Sequence, residues 1–351
     1  MRIFVINPGS TSTKFALFED GKEVHKETIR YSREDLAPFA TIYDQLPMRV
    51  KDMRKLLDSW QVDVASLDGI AARGGMLPPL KAGAYLVDET LVYVLRYKPA
   101  GIHGSNLGGL MAHELGAEDR IPAYIYDAVS VDEMMDEARL SGIKEWPRQA
   151  FSHALNTRAV ARRYAEQIGK KYEDLTLICA HLGGGISLNI QHKGRIIDTV
   201  ACQEGPFSTE RAGSLDIFVA ADICDQEGSD GLRSYQVGRG GLVSYLGTNN
   251  AMEASDLVTA GNEEAALVMR AMALQVAKYI SLLAADVSGQ LDAVILTGGM
   301  AFWEDLCTEI KERVRFLAPV VVFPGEMEME ALALGIGRVL KGEEAAHCYV
   351  D

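Results

Sequence analysis

The feature that most constrains this chain is a strand–turn–strand pattern, rich in small residues, that occurs twice. The first copy spans residues 3–21 and contains the turn NPGSTSTK at 7–14, and the second spans 177–197 and contains HLGGGIS at 181–187. Glycine and serine allow a hairpin backbone to approach an anion closely, with the turn amides directed at its oxygens. Two such hairpins, one in each half of the chain, predict two related domains that close on a polyphosphate.

Two common nucleotide-binding motifs do not fit these turns. A dinucleotide-binding glycine motif would have to open a helix, but Ile186, Leu188 and Ile190 alternate with polar residues in the period of a strand. No Gly-Lys-Ser/Thr sequence closes either turn, so the P-loop pattern is also absent. Ordinary glycine-rich hairpin turns remain the alternative to phosphate binding.

Composition excludes several classes of protein. A length of 351 residues suits two domains, and a net charge of -14 argues against a general nucleic-acid or anionic-membrane surface. The five cysteines are scattered without a CxxC pair, which is typical of a reducing compartment. We see no secretory signal and no apolar run of membrane-spanning length. We therefore expect a cytoplasmic protein with neither a nucleic-acid nor a membrane partner.

Strands alternate with helices after each hairpin, which predicts an α/β fold with mixed sheets. Helical spacing of apolar residues marks 48–60, 155–168 and 263–287. The segment 141–148, with Gly142 and Pro147, is the expected crossing between the halves. The predicted domains are 1–148 and 149–330, with a final helix in 331–351 packing back on the first.

Three charged residues follow predicted strands. Asp127 ends a buried strand, where an open α/β sheet presents its catalytic groups, and its carboxylate can hold Mg²⁺, cap the next helix, or do both. Arg73 precedes two glycines, and Arg211 lies in STERAGS at 208–214. A guanidinium suits carboxylate and phosphoryl oxygens, although a solvated or salt-bridged arginine is the alternative for each.

Weaker candidates lie at predicted helix starts. His103 and His153 each precede a helix and can donate to a phosphoryl oxygen or be incidental. The segment TGGM at 297–300 can let the backbone lie against an adenosine, or it is a simple strand-to-helix turn. Glu330 begins a predicted helix, where a negative charge is stabilising by about 0.3–1 kcal/mol in any protein.

Together these segments resemble the acetate and butyrate kinase family, within the superfamily of actin, hexokinase and heat-shock chaperones. The resemblance covers nearly the whole chain, and its most specific parts are VINPGSTSTK at 5–14 and HLGGGIS at 181–187. The chain is shorter than typical acetate kinases. Three segments resemble the butyrate branch more than the acetate branch: ARGG at 72–75, FSHALN at 151–156 and PGEMEMEAL at 324–332.

The resemblance implies two duplicated domains of the actin-like ATPase (ribonuclease H-like) type, with mixed five-stranded sheets flanked by helices and the active site in the interdomain cleft. It departs from the acetate kinase pattern Arg-Val-Val-His-Gly-Gly in one place. The arginine of that pattern aligns with Ile70 and its histidine with Arg73. Arg73 is therefore expected to contact the substrate only if it replaces the arginine of that pattern.

The resemblance also implies roles for the candidates. The residues expected to contact phosphate or nucleotide are Asn7, Ser10, Ser12, Lys14, His181, Gly183, Gly184, Gly185, Gly298, Gly299 and Met300. Asn7, Asp127 and Glu330 are expected near Mg²⁺. The expected catalytic residues are Asp127, Arg211, His153 and Arg73, and the expected substrate contacts are Arg73 and His103.

We therefore expect a Mg²⁺-dependent kinase that transfers the γ-phosphoryl group of ATP reversibly to a short-chain carboxylate, with butyrate as the first choice. An acetate, propionate or branched-chain fatty acid kinase is the alternative within the family. A nucleotide-gated actin-like or chaperone-like module without catalysis is the alternative from another class. Homo-oligomerisation is expected from the resemblance alone.

Overall fold

The computed structural model describes residues 1–350. Its strands are β1 Arg2–Pro8, β2 Ser12–Glu19, β3 Lys22–Arg30, β4 Gly69–Arg73, β5 Ala84–Leu86, β6 Ala123–Tyr126, β7 Thr176–Leu182, β8 Ile186–His192, β9 Arg195–Val200, β10 Ala293–Gly298 and β11 Val320–Pro324. Its α-helices are α1 Arg33–Leu36, α2 Leu46–Ser59, α3 Glu89–Tyr97, α4 Leu107–Gly116, α5 Asp136–Arg139, α6 Ala154–Gln167, α7 Ile217–Ser234, α8 Leu242–Leu246, α9 Ala251–Thr259, α10 Glu263–Ala284, α11 Glu304–Val314 and α12 Glu328–Leu340.

The chain divides into two compact units. The first unit contains Met1–Asp132 and the chain from Met327 onward, and the second contains Glu133–Glu326. The sequence analysis placed these borders at 148 and 330. Residues 133–148 belong with the second unit because the Met135 amide donates to the carbonyl of Ile197 on β9 at 2.9 Å and Arg148 pairs with Asp198 at 3.0 Å.

The first unit is built on a mixed sheet of six strands in the order β3-β2-β1-β4-β6-β5. The prediction of five strands missed β5, a three-residue edge strand that pairs antiparallel with β6. Successive residues of β1 face opposite sides of the sheet. Phe4 lies in the core formed with α2, α3 and α4, whereas Ile3 faces the side that α12 covers at Gly337.

The second unit carries a mixed sheet of five strands in the order β11-β10-β7-β8-β9, as predicted. Its central strand β7 is antiparallel to β8 and parallel to β10, just as β1 is antiparallel to β2 and parallel to β4. Ile178 of β7 lies in the core formed with α10 and α11, whereas the Cys179 thiol reaches the Thr157 carbonyl of α6 on the other face. The predicted duplication of an α/β domain with helices on both faces is confirmed.

One segment contradicts the expectation that no apolar run reaches membrane-spanning length. Glu263–Val287, which includes α10, is a 25-residue helical segment that contains an 18-residue window with a mean hydropathy of 1.4. Its residues Met272, Val276 and Ile280 are fully buried in the core of the second unit. Packing in that core explains why the helix is so apolar.

A half-buried carboxylate in the second unit predicts a dependence of stability on pH. Burial and the neighbouring Asp198 raise the pKa of Asp286 to about 6, although Arg148 lowers it, and Asp286 Oδ2 has no hydrogen-bond partner within residues 1–350. Because the folded state binds this proton more tightly than the unfolded state, its contribution to stability is full below about pH 4 and is lost as the pH rises through about 6.

We expect Asp286→Asn to raise the free energy of unfolding at pH 7.5 by about 1 kcal/mol, a value discounted because the side chain is partly exposed. The gain should shrink towards pH 4. Urea unfolding of wild type and variant between pH 4 and pH 8 measures this difference. Asp256→Asn, an exposed change on α9, is the control. An equal gain at every pH would contradict the assignment to Asp286 ionisation.

Candidate active site

The first glycine- and serine-rich turn is a hairpin between β1 and β2, as predicted. The Gly9 amide donates to the Ser12 carbonyl at 2.7 Å, and the strand register places Asn7 opposite Lys14. Ser10 and Thr11 form the exposed tip. The turn therefore presents polar backbone to the solvent at the end of a buried strand.

A second segment lies directly against this turn. A Cβ atom added to Gly104 would collide with the carbonyl of Gly9 and lie 2.8 Å from the amide nitrogen of Ser10. Only glycine permits this approach. The neighbouring His103 is exposed, and its Nδ1 lies 2.9 Å from Ser105 Oγ. The structure thus places His103 in a segment that lies against the first turn.

Three side chains meet at the ends of β1, β4 and α12. Asn7 Nδ2 donates to Glu328 Oε2 at 2.8 Å, and Arg73 Nη1 lies 3.3 Å from the same oxygen and 3.4 Å from Asn7 Oδ1. Asn7 and Glu328 are both buried. A buried carboxylate needs such partners, because an unpaired charge in this environment is costly.

The sequence analysis selected Glu330 at the start of the final helix, but the structure brings Glu328 to Asn7 and Arg73. Helix α12 begins at Glu328, two residues before the predicted start, and Glu330 is exposed. Residues two positions apart on a helix are rotated by more than half a turn, so the two carboxylates face different surroundings. The sequence has glutamate at 326, 328 and 330, and no pattern in it indicates which of the three lies near Asn7 and Arg73.

Asp127 follows β6 with a φ of 41°, in the left-handed region that aspartate tolerates better than most residues. Its buried carboxylate accepts from the Gly83 amide at 2.8 Å, and its own amide donates to the Gly83 carbonyl at 3.1 Å. Since β1, β4 and β6 are adjacent and parallel, Asn7, Arg73 and Asp127 lie at the same carboxyl edge of the sheet.

In the second unit, two candidate histidines stack on each other. The rings of His153 and His181 have centroids 3.8 Å apart and planes inclined by 8°. His181 is buried at the end of β7, and its Nδ1 lies 3.0 Å from Asn156 Nδ2. Because an amide nitrogen can only donate, Nδ1 accepts and neutral His181 carries its proton on Nε2, which lies 3.9 Å from Glu326 Oε1.

His153 is held by the second glycine-rich turn. Its Nδ1 lies 2.8 Å from Ser187 Oγ, and its amide donates to the same oxygen at 3.2 Å. Asn156, which orients His181, also donates to Thr297 Oγ1 at 3.2 Å. The sequence analysis missed Asn156, since an asparagine inside a predicted helix carries no pattern that distinguishes it.

Arg211 lies against the second turn. A Cβ atom added to Gly185 would be 2.9 Å from the Arg211 guanidinium carbon and 2.7 Å from Cys202 Sγ. The carbonyl of Gly184 accepts from Ser208 Oγ at 2.6 Å. Arg211 Nε is buried without a hydrogen-bond partner within residues 1–350, although buried donors are normally satisfied. Arg211 therefore lies against the second turn, and its Nε–H group makes no hydrogen bond within residues 1–350.

Arg211 also lines a cavity of about 460 Å³ in the second unit. The other lining residues are Gln203, Ser229, Leu232, Arg233, Gln236 and Val237. This lining combines the guanidinium groups of Arg211 and Arg233 and two carboxamides with the aliphatic side chains of Leu232 and Val237. The guanidinium group of Arg211 can attract an anionic ligand to this cavity.

The segment after β10 contributes backbone more than side chain. Gly298 has a φ of 93° and forms two backbone hydrogen bonds with Gly325, at 3.0 and 2.9 Å. Gly299 is exposed, with no atom within 4 Å of an added Cβ. Met300, a predicted nucleotide contact, has its side chain in the hydrophobic core. Of these three residues, Gly299 leaves the most room for a ligand.

Solved structures of acetate and propionate kinases share this fold. The acetate kinase of Porphyromonas gingivalis matches with a TM-score of 0.73 and 19% identity, covering 96% of this chain and 99% of the other. A propionate kinase from Francisella tularensis subsp. tularensis matches with a TM-score of 0.77 and 17% identity, covering 94% and 98%. The acetate kinase of Entamoeba histolytica gives 0.77 and 17%, covering 96% and 99%. At these identities the similarity establishes only that this chain shares the fold of these three kinase structures.

The family follows from the sequence of the second half of the chain. The model of the acetokinase family matches residues 138–317, which is more than half of the chain. The chain belongs to the acetokinase family and is a carboxylate kinase of that family. The resemblance stated from the sequence is confirmed at the level of the family.

Proposed function

We propose that the protein transfers the γ-phosphoryl group of ATP reversibly to a short-chain carboxylic acid, with butyrate as the preferred acid. The observation that carries this proposal is the placement of Arg211. Its guanidinium lies against the glycine-rich turn at Gly185, retains an unused buried donor and lines a cavity suited to an anion. A guanidinium so placed can stabilise negative charge that develops on a transferring phosphoryl group.

The acceptor needs no general base. A carboxylic acid with a pKa of about 4–5 is ionised at neutral pH, as Asp and Glu side chains are. One carboxylate oxygen forms a bond to the γ-phosphorus while the bond from that phosphorus to the β,γ-bridging oxygen breaks. ADP leaves with the electron pair of that bond. Catalysis then rests on alignment and on charge neutralisation by Arg211 and His153.

The carboxylates of Asp127 and Glu328 in the first unit are suitable oxygen ligands for Mg²⁺. Within residues 1–350 no group of three or more His, Cys, Asp or Glu side chains could hold a metal ion. Mg²⁺ in kinases is typically bound by one or two carboxylates together with substrate phosphates and water, so it does not require such a group. Asp127 and Glu328, with Asn7 beside Glu328, are the residues that would hold it. When bound, Mg²⁺ neutralises charge on the phosphate oxygens.

We propose the remaining roles from the family resemblance together with the local geometry. The turns at Gly9–Ser12 and His181–Gly185 would bind phosphates, with Lys14 beside the first, and the backbone at Gly299 would border the adenine. Because the charge of Arg73 is offset by Glu328, we assign Arg73 mainly to the orientation of Asn7 and Glu328. We also propose that the protein is cytoplasmic and forms a homo-oligomer, as the family resemblance implies.

A panel of straight-chain acids tests the proposed specificity. We expect kcat/KM for butyrate to exceed that for acetate by at least about 10-fold, because each of its two additional methylene groups changes discrimination by about 1–3 kcal/mol. Acyl phosphate formation from C2 to C5 acids, measured in a coupled assay, gives this ratio. A larger kcat/KM for acetate or propionate would favour the alternative that the similar structures support. ATP binding without acyl phosphate from any acid would favour a non-catalytic module.

A further inference from the structure

Arg49 is a buried arginine on α2 that the proposed chemistry does not use. Its side chain is fully buried and lies beneath the turn between β1 and β2. Its guanidinium donates to the carbonyl oxygens of Gly9 at 2.9 Å, Ser10 at 2.9 Å and Ser12 at 3.2 Å. It therefore binds three of the four carbonyl groups from Gly9 to Ser12.

These hydrogen bonds fix the direction of the turn amides. In a planar trans peptide, the carbonyl of one residue and the amide N–H of the next point in opposite directions. Where the carbonyls of Gly9 and Ser10 point at Arg49, the amides of Ser10 and Thr11 point away from it, towards the exposed side of the turn. Two adjacent amides directed outward form a small anion-binding surface.

Within residues 1–350, the charge of Arg49 has no carboxylate partner. The guanidinium also contacts Gln45 Oε1, at 2.8 and 3.2 Å, and Thr13 Oγ1, at 3.1 Å, and it lies 4.7 Å from the centroid of the Tyr31 ring. Burial lowers the pKa of Arg49, but an arginine remains charged at neutral pH. A buried cation held only by neutral groups adds positive potential to the turn in front of it, in a chain of net charge -14.

We propose that Arg49 is a positioning residue for the polyphosphate of the nucleotide. It turns the carbonyl groups of the β1–β2 turn inward, so that the Ser10 and Thr11 amides face the phosphates, and it supplies positive charge from behind the turn. The proposal deepens the proposed function, on which it rests for the identity of the ligand as ATP. The turn and its arginine are chemically suited to any polyphosphate.

Binding of inorganic tripolyphosphate, measured by calorimetry, tests the role without requiring turnover. We expect Arg49→Lys to weaken tripolyphosphate and Mg·ATP binding by about tenfold or more, because an ammonium retains the charge but cannot satisfy three carbonyls in the geometry of a guanidinium. The KM for the acid should change by less than about twofold, since the ground-state acid does not contact this turn in the proposed mechanism. Arg49→Met should weaken tripolyphosphate binding further.

The matched control is Arg54→Met on the same helix, where the arginine side chain is 40% exposed and pairs with Glu118 at 3.5 Å. It should leave the binding of both ligands unchanged. If Arg49→Met does not fold, Arg49→Lys still decides the question. A lowered melting temperature with wild-type tripolyphosphate affinity would overturn the proposal and leave Arg49 with a structural role. If wild type forms no acyl phosphate but Arg49→Lys still loses tripolyphosphate affinity, the proposed function fails while the role of Arg49 stands.

Discussion

Glu328→Gln is expected to lower kcat by about 100-fold or more, whereas Glu330→Gln should leave it within about twofold. The Glu328 carboxylate accepts from Asn7 at 2.8 Å and pairs with Arg73 at 3.3 Å in a buried environment. Its replacement by an amide leaves Arg73 without a counter-charge and removes a hard oxygen ligand that Mg²⁺ prefers. A 100-fold loss corresponds to about 2.7 kcal/mol of transition-state stabilisation.

Steady-state kinetics with a Mg²⁺ titration at fixed ATP and saturating acid distinguish the two glutamates. Glu328→Gln should also raise the Mg²⁺ concentration required for half-maximal activity. Glu330→Gln is a close control, because it makes the same chemical change on the same helix at an exposed position. A larger kcat loss from Glu330→Gln would show that the sequence-based choice was correct and that Glu328 has a structural role.

Most of the fold could be predicted from the sequence because its signals are local. The alternation of Ile186, Leu188 and Ile190 with polar residues fixes a strand, and the glycines before them fix a hairpin, without knowledge of any distant residue. The edge strand β5 was missed because three residues are too few to show a period. The border near residue 133 was missed because backbone pairing of Met135 with Ile197 determines it, and composition does not encode that pairing.

The site was less predictable because its contacts join remote parts of the chain. Asn7 and Glu328 are 321 positions apart, and their hydrogen bond depends on where α12 begins to within a residue or two. Arg49 lies on an amphipathic helix, where a charged residue is by default assigned to the solvent side. Arg49 can be buried because the carbonyl groups of Gly9, Ser10 and Ser12 accept its hydrogen bonds. These groups face Arg49 only once the turn has folded. Arg73 was identified, but its pairing with Glu328 was not foreseeable.

The two arginines identified from the sequence should behave differently on mutation. Arg211→Ala is expected to lower kcat by about 100- to 1,000-fold, the cost typical of removing a donor to developing charge, with little change in the KM for ATP. Arg73→Ala should also lower kcat, but through misplacement of Asn7 and Glu328. It should therefore raise the Mg²⁺ requirement as Glu328→Gln does, whereas Arg211→Ala should leave the Mg²⁺ requirement unchanged.

The control for Arg211 is Arg233→Ala, since Arg233 lines the same cavity but its side chain is 79% exposed. If Arg211 acts on the transition state, Arg233→Ala should retain kcat within about threefold, because an exposed, screened charge contributes little. Arg211→Lys should recover part of the lost rate, since it restores the charge without the planar fork. If Arg211→Ala instead increases the KM for the acid and retains kcat, Arg211 binds the ground-state carboxylate. His153 would then be the side chain that stabilises the charge on the transferring phosphoryl group.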